Sequence, residues 1–566
     1  MSSHHSTITT TLAAAAILVT LIGCHQTKPT PASGPQKVTI TGKILTARGT
    51  APLAAAARLL VPGSKDVTAV AAPDGSFTIE APPKTAMRLR LSAVDHVEAN
   101  LPVFFETTAP ASVTVKLGVD PFDRTAHTVK IAASETKDFS LHDAVPMHRQ
   151  PDGTFVWEKD TTAPEIRYEL LGITTNGHSV NGTQSDGFAD DGGGDFESIV
   201  HPANGHVRIV YDPSKLPAPV PGQFPDVSWD TAHASLDTLA TLDRTFTVTT
   251  KRVMAAAWAY NQQHHDLKGF HADDGALITS LTTTMAHDTS PLVRAYAALL
   301  LLNTRASLEE PIKVSPDFIT SILATAPPSS PAWALRPRSI EALDTLGGNQ
   351  VQVVFHRFVT GNASKQVQAY ALYSEALRAK LKHDTALQRK DYERLKSDYI
   401  GVPGITYKLT EINPDKAIQV GKPVPAFSTT LLNGHKITNK DLLGHYTLLD
   451  FWATWCPPCR AEMPNLDAAW KKFHRQNFQI VSLSFDESPK AIATFRKGKW
   501  KMPWKHVFVK GGFRSSLAKT FEVEGIPSPI LVGPDGTILA LEPATRGPTL
   551  LNTIAAVLSK AHAHTK

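Results

Sequence analysis

The stretch Phe451-Trp452-Ala453-Thr454-Trp455-Cys456-Pro457-Pro458-Cys459-Arg460-Ala461-Glu462-Met463-Pro464 carries two of the chain's three cysteines as a C-x-x-C pair. Ahead of it, Tyr446 to Trp452 is an apolar run with the length and composition of a buried parallel strand. Behind it, Met463, Leu466, Ala469, Trp470 and Phe473 recur at helical spacing. The pair therefore falls where a strand ends and a helix begins, at the carboxyl edge of an open sheet. There the first helical amides and the positive end of the helix dipole favour a thiolate at Cys456. The thiolate is the attacking species in sulfur chemistry. Pro457 suits the first helical turn, where its missing N–H would have no partner anyway. Pro458 stiffens the same turn, so closing a disulfide across it needs little further ordering.

Two plainer readings compete. Half of a zinc site would need two further ligands in the same domain. The remaining cysteine is Cys24, and His474 and His506 lack ligand-pair spacing. An inert structural disulfide is the other, although neighbouring half-cystines at a helix start seldom serve as staples. Neither a metal nor a cofactor is expected. Downstream, Glu524-Gly525-Ile526-Pro527-Ser528-Pro529 precedes an apolar run at Ile530-Leu531-Val532. Taken alone, these are as readily ordinary turn prolines as anything else.

Together these motifs resemble the TlpA/ResA family of exported thioredoxin-like proteins, from about Gly421 to Ala561. The similarity includes Gly525-Ile526-Pro527 and a closing hairpin at Gly533-Pro534-Asp535-Gly536-Thr537. The resemblance implies an α/β thioredoxin-like fold, with Cys456 as nucleophile and Cys459 as resolving thiol. It implies a cis Pro527 opposite the pair, Ile526 offering backbone groups to an extended substrate, and Trp455 beside it. Glu462 occupies the position of a carboxylate that tunes the cysteines in the ResA branch. Many TlpA-like sequences carry Asn where this chain has Asp450, which matches the buried aspartate of thioredoxin. A carboxylate there, beside Cys459, is expected to have a raised pKa and to accept the resolving thiol's proton. For Asp450 and Glu462 alike the plain alternative is a solvated charge or a salt bridge.

The expected reaction is thiol–disulfide exchange with disulfide-containing proteins. Members of this fold span potentials from about −270 to −120 mV, so the motif alone leaves the direction open. The family resemblance favours a reductase recharged by a membrane thiol-reductant carrier. A peroxiredoxin-like peroxidase is a competing enzyme class, but its Pro-x-x-x-Thr-x-x-Cys signature is missing around Cys456. A surface-anchored binding protein with an auxiliary redox domain is the non-enzymatic alternative.

At the other end, Leu12 to Ile22 is almost continuously apolar, the length of a signal h-region. It closes in Leu21-Ile22-Gly23-Cys24, which resembles the bacterial lipobox. That resemblance implies a signal peptide at 1–23, lipidation of Cys24 and a cell-envelope, extracytoplasmic location. One feature departs from the pattern: the first eleven residues carry His4 and His5 but no Lys or Arg. Residues 24–36 read as a Pro/Ser/Thr-rich linker.

The chain of 566 residues is too long for one core, and the expected architecture is multidomain. Hydrophobic content of 42% with 19% charge is that of a folded protein, and a net charge of +5 without a concentrated basic stretch gives no case for a nucleic-acid partner. Short alternating segments and turn signals over 37–117 resemble the carboxypeptidase regulatory-like domain, a β-sandwich without catalytic residues. Asp74-Gly75 reads there as a hairpin turn. Residues 118–230 are β-leaning, with a carboxylate- and glycine-rich stretch at Asp186–Asp195 expected as a solvated loop. Residues 231–400 are helical. The motif Asp288-Thr289-Ser290-Pro291 recurs 74 residues on as Asn362-Ala363-Ser364-Lys365, a hint of helix-pair repeats. His264, His265 and His271 cluster there without a carboxylate at ligand spacing. The thioredoxin-like domain is expected over 418–566, with Ile418–Phe427 as its boundary, where paired prolines break helix and lead into an extended entry strand.

Overall fold

The computed structural model describes residues 36–563 except 124, 135–143, 175–179, 192–194, 221, 223, 265–266, 268, 307–313 and 499. The expected signal at 1–23, Cys24, the linker up to residue 35, Gly192–Gly194 and His265 lie outside the described residues. The chain forms two compact units. One runs to Glu375 and takes in Tyr399–Ile405; the other comprises Ala376–Asp398 and the residues from Thr406 onward.

The first unit begins with two four-stranded sheets. Strand Val38–Thr46 turns Val38, Ile40 and Ile44 inward, as its alternation dictates. It pairs antiparallel with Ser76–Ala81 and parallel with Ala111–Leu117, whose other edge takes Asp226–Trp229. The second sheet runs Val67–Val70, Ala55–Leu60, Met87–Ala93, His96–Val103. Asp74-Gly75 is a turn, with Gly75 at φ 82°, yet it closes no hairpin. The strands on either side of it belong to different sheets. Gly75 is docked against Val38–Thr46, where a Cβ would come within 2.1 Å of Ile44 O, so the chain crosses between sheets at this point.

A five-stranded and a three-stranded sheet follow, sharing a core that includes Val129, Ile131, Tyr168, Ile209 and Tyr211. The stretch expected as a solvated acidic loop is largely a hairpin. Gly187–Asp190 pairs antiparallel with Phe196–Val200. Asp190 is anchored by Arg58 at 2.7 Å, both side chains largely buried, so this acid is drawn into the protein.

Helices take over from Ala234–His264. The recurring motif caps two of them in the same way. Asp288 accepts from Ser290 N at 2.8 Å, Ser290 Oγ accepts from Val293 N at 3.4 Å, and Arg294 Nη1 donates to Asp288 O at 2.6 Å. In the second copy Asn362, Ser364, Val367 and Gln368 make the equivalent bonds at 2.9, 3.4 and 2.6 Å. Tyr296 and Tyr370 are buried at matching positions of the helices Pro291–Ala306 and Lys365–Leu381. Among the described residues no helix is long and apolar enough to cross a membrane.

The second unit centres on a five-stranded sheet in the order Lys505–Phe508, Phe478–Ser484, Tyr446–Trp452, Ser528–Val532, Ile538–Ala540. The first three strands are parallel, Ser528–Val532 runs antiparallel to them, and Ile538–Ala540 reverses again. Tyr446–Trp452 is the central strand and is buried on both faces, which explains its unbroken apolar run. The boundary segment Ile418–Phe427 leads into the strand Ser428–Thr430 and is itself held by a bridge between Pro423 and Thr537, flanked by bonds from Gly421 N to Ile538 O and Val424 N to Gly536 O. Pro423 and Pro425 have no N–H to extend that ladder. Regular pairing starts only at Ser428–Thr430.

Candidate active site

The central strand ends at Trp452, and the chain turns through Ala453-Thr454-Trp455 into a helix at Pro457–Ala461. Asp486 clamps this turn. It is buried, accepts from Thr454 N and from Thr454 Oγ1 at 2.6 Å, and takes a second hydroxyl from Ser484 at 2.6 Å. Trp455, 54% exposed, thus stands out from a fixed loop and offers an indole at the surface beside the cysteines.

Cys456 and Cys459 are joined as a disulfide, with Cα atoms 5.3 Å apart. Cys456 is the N-cap of the short helix, Pro457 and Pro458 fill its first positions, and Cys459 N donates to Cys456 Sγ at 3.1 Å. An amide aimed at that sulfur stabilises negative charge on it once the disulfide opens. The helix is interrupted at Glu462 and resumes as Met463–Phe473. Pro464 causes the break, because it has no N–H to give to Arg460 O.

The Ile526–Pro527 peptide is cis and immediately precedes the strand Ser528–Val532. Ile526 O lies 3.7 Å from Cys456 Sγ. A disulfide sulfur carries no proton, so in this oxidised state the approach is a contact; a reduced Cys456 thiol would donate along it. The chain fold thus brings Cys456, Cys459, Ile526 and Pro527 together, with Trp455 at the rim.

Asp450 lies in the central strand, in register with Ser482 on one side and Pro529 on the other. It is buried, and among the described residues its one side-chain hydrogen bond comes from Ser482 Oγ at 2.8 Å. Burial pushes its pKa up to about 7, against the lowering effect of the Ser482 bond and with a further rise from the negative charge of Glu462. In the disulfide form Asp450 makes no hydrogen bond to Cys459.

Glu462 is committed elsewhere. Its Oε2 accepts from Asn465 Nδ2 at 3.0 Å and Gly547 N at 2.9 Å, and Arg546 Nε lies 3.6 Å from its other oxygen. Its negative charge also raises the pKa of Asp450. His506, buried on the strand beyond Ser482, donates its Nε2–H to Met502 O (3.0 Å), and burial holds its pKa down to about 4. Among the described residues no group of three or more His, Cys, Asp or Glu is arranged to hold a metal ion.

Sequence reasoning missed Ser482, Ser484, Asp486 and Trp504. Trp504 Nε1 donates to Ser482 Oγ at 2.9 Å, which completes a chain ending on Asp450. The available signal was Ser482-Leu483-Ser484-Phe485-Asp486: two hydroxyls and a carboxylate in an apolar strand must find partners when buried.

Residues 420–540 match the AhpC/TSA family. Thiol-disulfide oxidoreductase ResA of Bacillus cereus is 32% identical over 139 residues, which is 25% of this chain and 78% of that protein. The chain belongs to the ResA family of thiol-disulfide oxidoreductases. The family model's match, residues 420–540, contains Cys456 and Cys459. Tryparedoxin of Trypanosoma brucei brucei is 35% identical over 130 residues, covering 22% of this chain and 88% of its own. The solved thioredoxin domain of a Bacteroides vulgatus thiol-disulfide oxidoreductase is 29% identical, covering 25% of this chain and 99% of that domain, with a TM-score of 0.23. On the ResA match this chain is a thioredoxin-like thiol-disulfide oxidoreductase, with the matched region making up about a quarter of its length.

Proposed function

We propose that the protein reduces disulfides of partner proteins by dithiol exchange at Cys456 and Cys459. The observation that carries this reading is the cysteine pair at a strand-to-helix turn, with an amide on Cys456 Sγ and a buried acid of raised pKa in the adjoining strand.

In the reduced enzyme the Cys456 thiolate attacks one sulfur of the partner's disulfide. The partner's S–S bond breaks, its other sulfur leaves as a thiolate, and a mixed disulfide forms. Cys459 gives its proton to Asp450 and attacks Cys456 Sγ, expelling the second partner thiolate. Two electrons pass to the partner, and the enzyme is left with the Cys456–Cys459 bond seen here. Pro527 and the Ile526 carbonyl hold the partner's chain alongside the pair, while Trp455 supplies an apolar contact. Asp450 is the base, and Glu462 adjusts it. A membrane thiol-reductant carrier returns the disulfide to the dithiol.

The reading extends to location. The lipobox-like Leu21-Ile22-Gly23-Cys24 supports an exported lipoprotein, anchored through Cys24 and facing the periplasm or another extracytoplasmic space. The motifs of 37–117, folded as two interleaved sheets, support a carboxypeptidase regulatory-like β-sandwich at the base of the chain. Insulin reduction by the dithiol form tests the central reading. Cys456→Ser abolishes it if the reading holds; undiminished activity in that variant rejects it.

A further inference from the structure

The first unit contains a cavity of about 480 Å³, a size that suits a small ligand. Arg88, Arg336 and Arg338 line it together with Asn303, Gln366 and Tyr370, and no carboxylate is among the lining residues. Arg88 comes from the strand Met87–Ala93, and the other two from the turn between the helices Ala332–Leu335 and Ser339–Gly347. Three guanidinium groups on one small wall repel one another and would disperse into solvent unless something fixed them.

What fixes two of them stands behind the wall. Asp243 accepts from Arg88 Nη1 at 2.8 Å and from Arg336 Nη1 at 2.8 Å, and also receives the hydroxyl of Tyr296. One carboxylate is thus shared between two guanidinia. Arg336 spends only Nη1 on it. Its Nε and Nη2 have no hydrogen-bond partner among the described residues, and its plane is steadied by the Phe246 ring, 4.3 Å from Cζ. Arg338 is exposed and is held by the hydroxyl of Tyr370. A guanidinium fixed in plane with a free edge is pre-organised for bidentate bonding to an oxyanion.

We infer that this cavity is a binding site for a small oxyanion, a carboxylate or a phosphate, gripped by Arg336 with Arg338 and Arg88 beside it. Asp243 orients the site rather than filling it. The repeat geometry supports the assignment: Tyr296 and Tyr370, matching residues of the two recurring motifs, each brace an arginine of the same cavity. The lining residues all belong to the first unit, and the cysteine pair belongs to the second.

Isothermal titration of the full-length protein with inorganic phosphate, and separately with succinate, tests this at low ionic strength. Saturable binding tighter than about 1 mM is expected for at least one probe. The probe that binds identifies the oxyanion class. Arg336→Gln should weaken binding about 10-fold or more, and Arg338→Gln, at an exposed position that leaves the fold intact, about 3-fold or more. Arg48→Gln, an exposed arginine elsewhere, should change nothing. If neither probe saturates below about 10 mM, or if both pocket variants bind as tightly as the parent, the inference is overturned.

Discussion

Ser482 Oγ donates a 2.8 Å hydrogen bond to Asp450 Oδ2, and the same oxygen accepts 2.9 Å from Trp504 Nε1. The two residues face each other in register on parallel strands, so backbone pairing fixes their approach. A buried carboxyl with one neutral donor, and no cation bonded to it, sits near neutrality at about pH 7. That is the value a base needs if it is to accept a proton in one half-reaction and return it in the other.

Asp450→Asn should spare formation of the mixed disulfide and slow its resolution. Rapid-quench measurement of the second partner thiol should show a loss of about 100-fold at pH 7, the low end of a general-base contribution. In the parent that rate rises as pH passes through about 7, and in the variant this inflection disappears.

Ser482→Ala removes a bond that favours the charged form of Asp450. Its pKa should climb by about one unit, carrying the midpoint of the resolution rate to higher pH. Trp504→Phe should move it the same way by less, since it only weakens the serine as a donor. An unshifted profile in Ser482→Ala would show that Asp450 is not the titrating group.

Glu462→Gln removes a like charge, so the Asp450 pKa and the rate midpoint should fall by a few tenths of a unit. The variant also weakens the bond to Gly547 N that ties the segment before helix Thr549–Ala563 to the active-site helix. That loss should cost about 1 kcal/mol of local stability, read as faster hydrogen exchange at 545–550.

Asp450 also makes the oxidised domain's stability depend on pH. Its folded pKa, about 7, lies above the ordinary 3.8, so between these values the native state holds a proton that the unfolded state has released. Stability therefore falls as pH rises from about 4 to about 7 and then levels off. Asp450→Asn should abolish that slope. At pH 8 it should protect the amides of Tyr446–Trp452 by a few kcal/mol relative to the parent, measured by hydrogen exchange on the full chain.

The site was largely legible in sequence because its parts are local or carried by short motifs. The cysteine pair, its prolines and the flanking strand and helix occupy one continuous stretch, and Pro527 sits in a second. The partners of Asp450 were not legible, since Ser482 and Trp504 reach it only through strand register. The Asp74-Gly75 turn misled for a related reason: turn chemistry specifies a reversal but not which strands pair. Asp190 looked solvated because its partner, Arg58, is far away in sequence. The helical middle announced its repeated caps, whereas the arginine-lined cavity depends on residues from Arg88 to Gly404 that no local pattern joins.

The most direct test of the dithiol mechanism is a trap with Cys459→Ala in the reduced full-length protein, offered disulfide-bonded insulin and examined by non-reducing mass spectrometry. The account predicts a stable one-to-one adduct whose bond maps to Cys456 and which is lost in Cys456→Ser/Cys459→Ala. No adduct, under conditions where the parent turns insulin over, would contradict it.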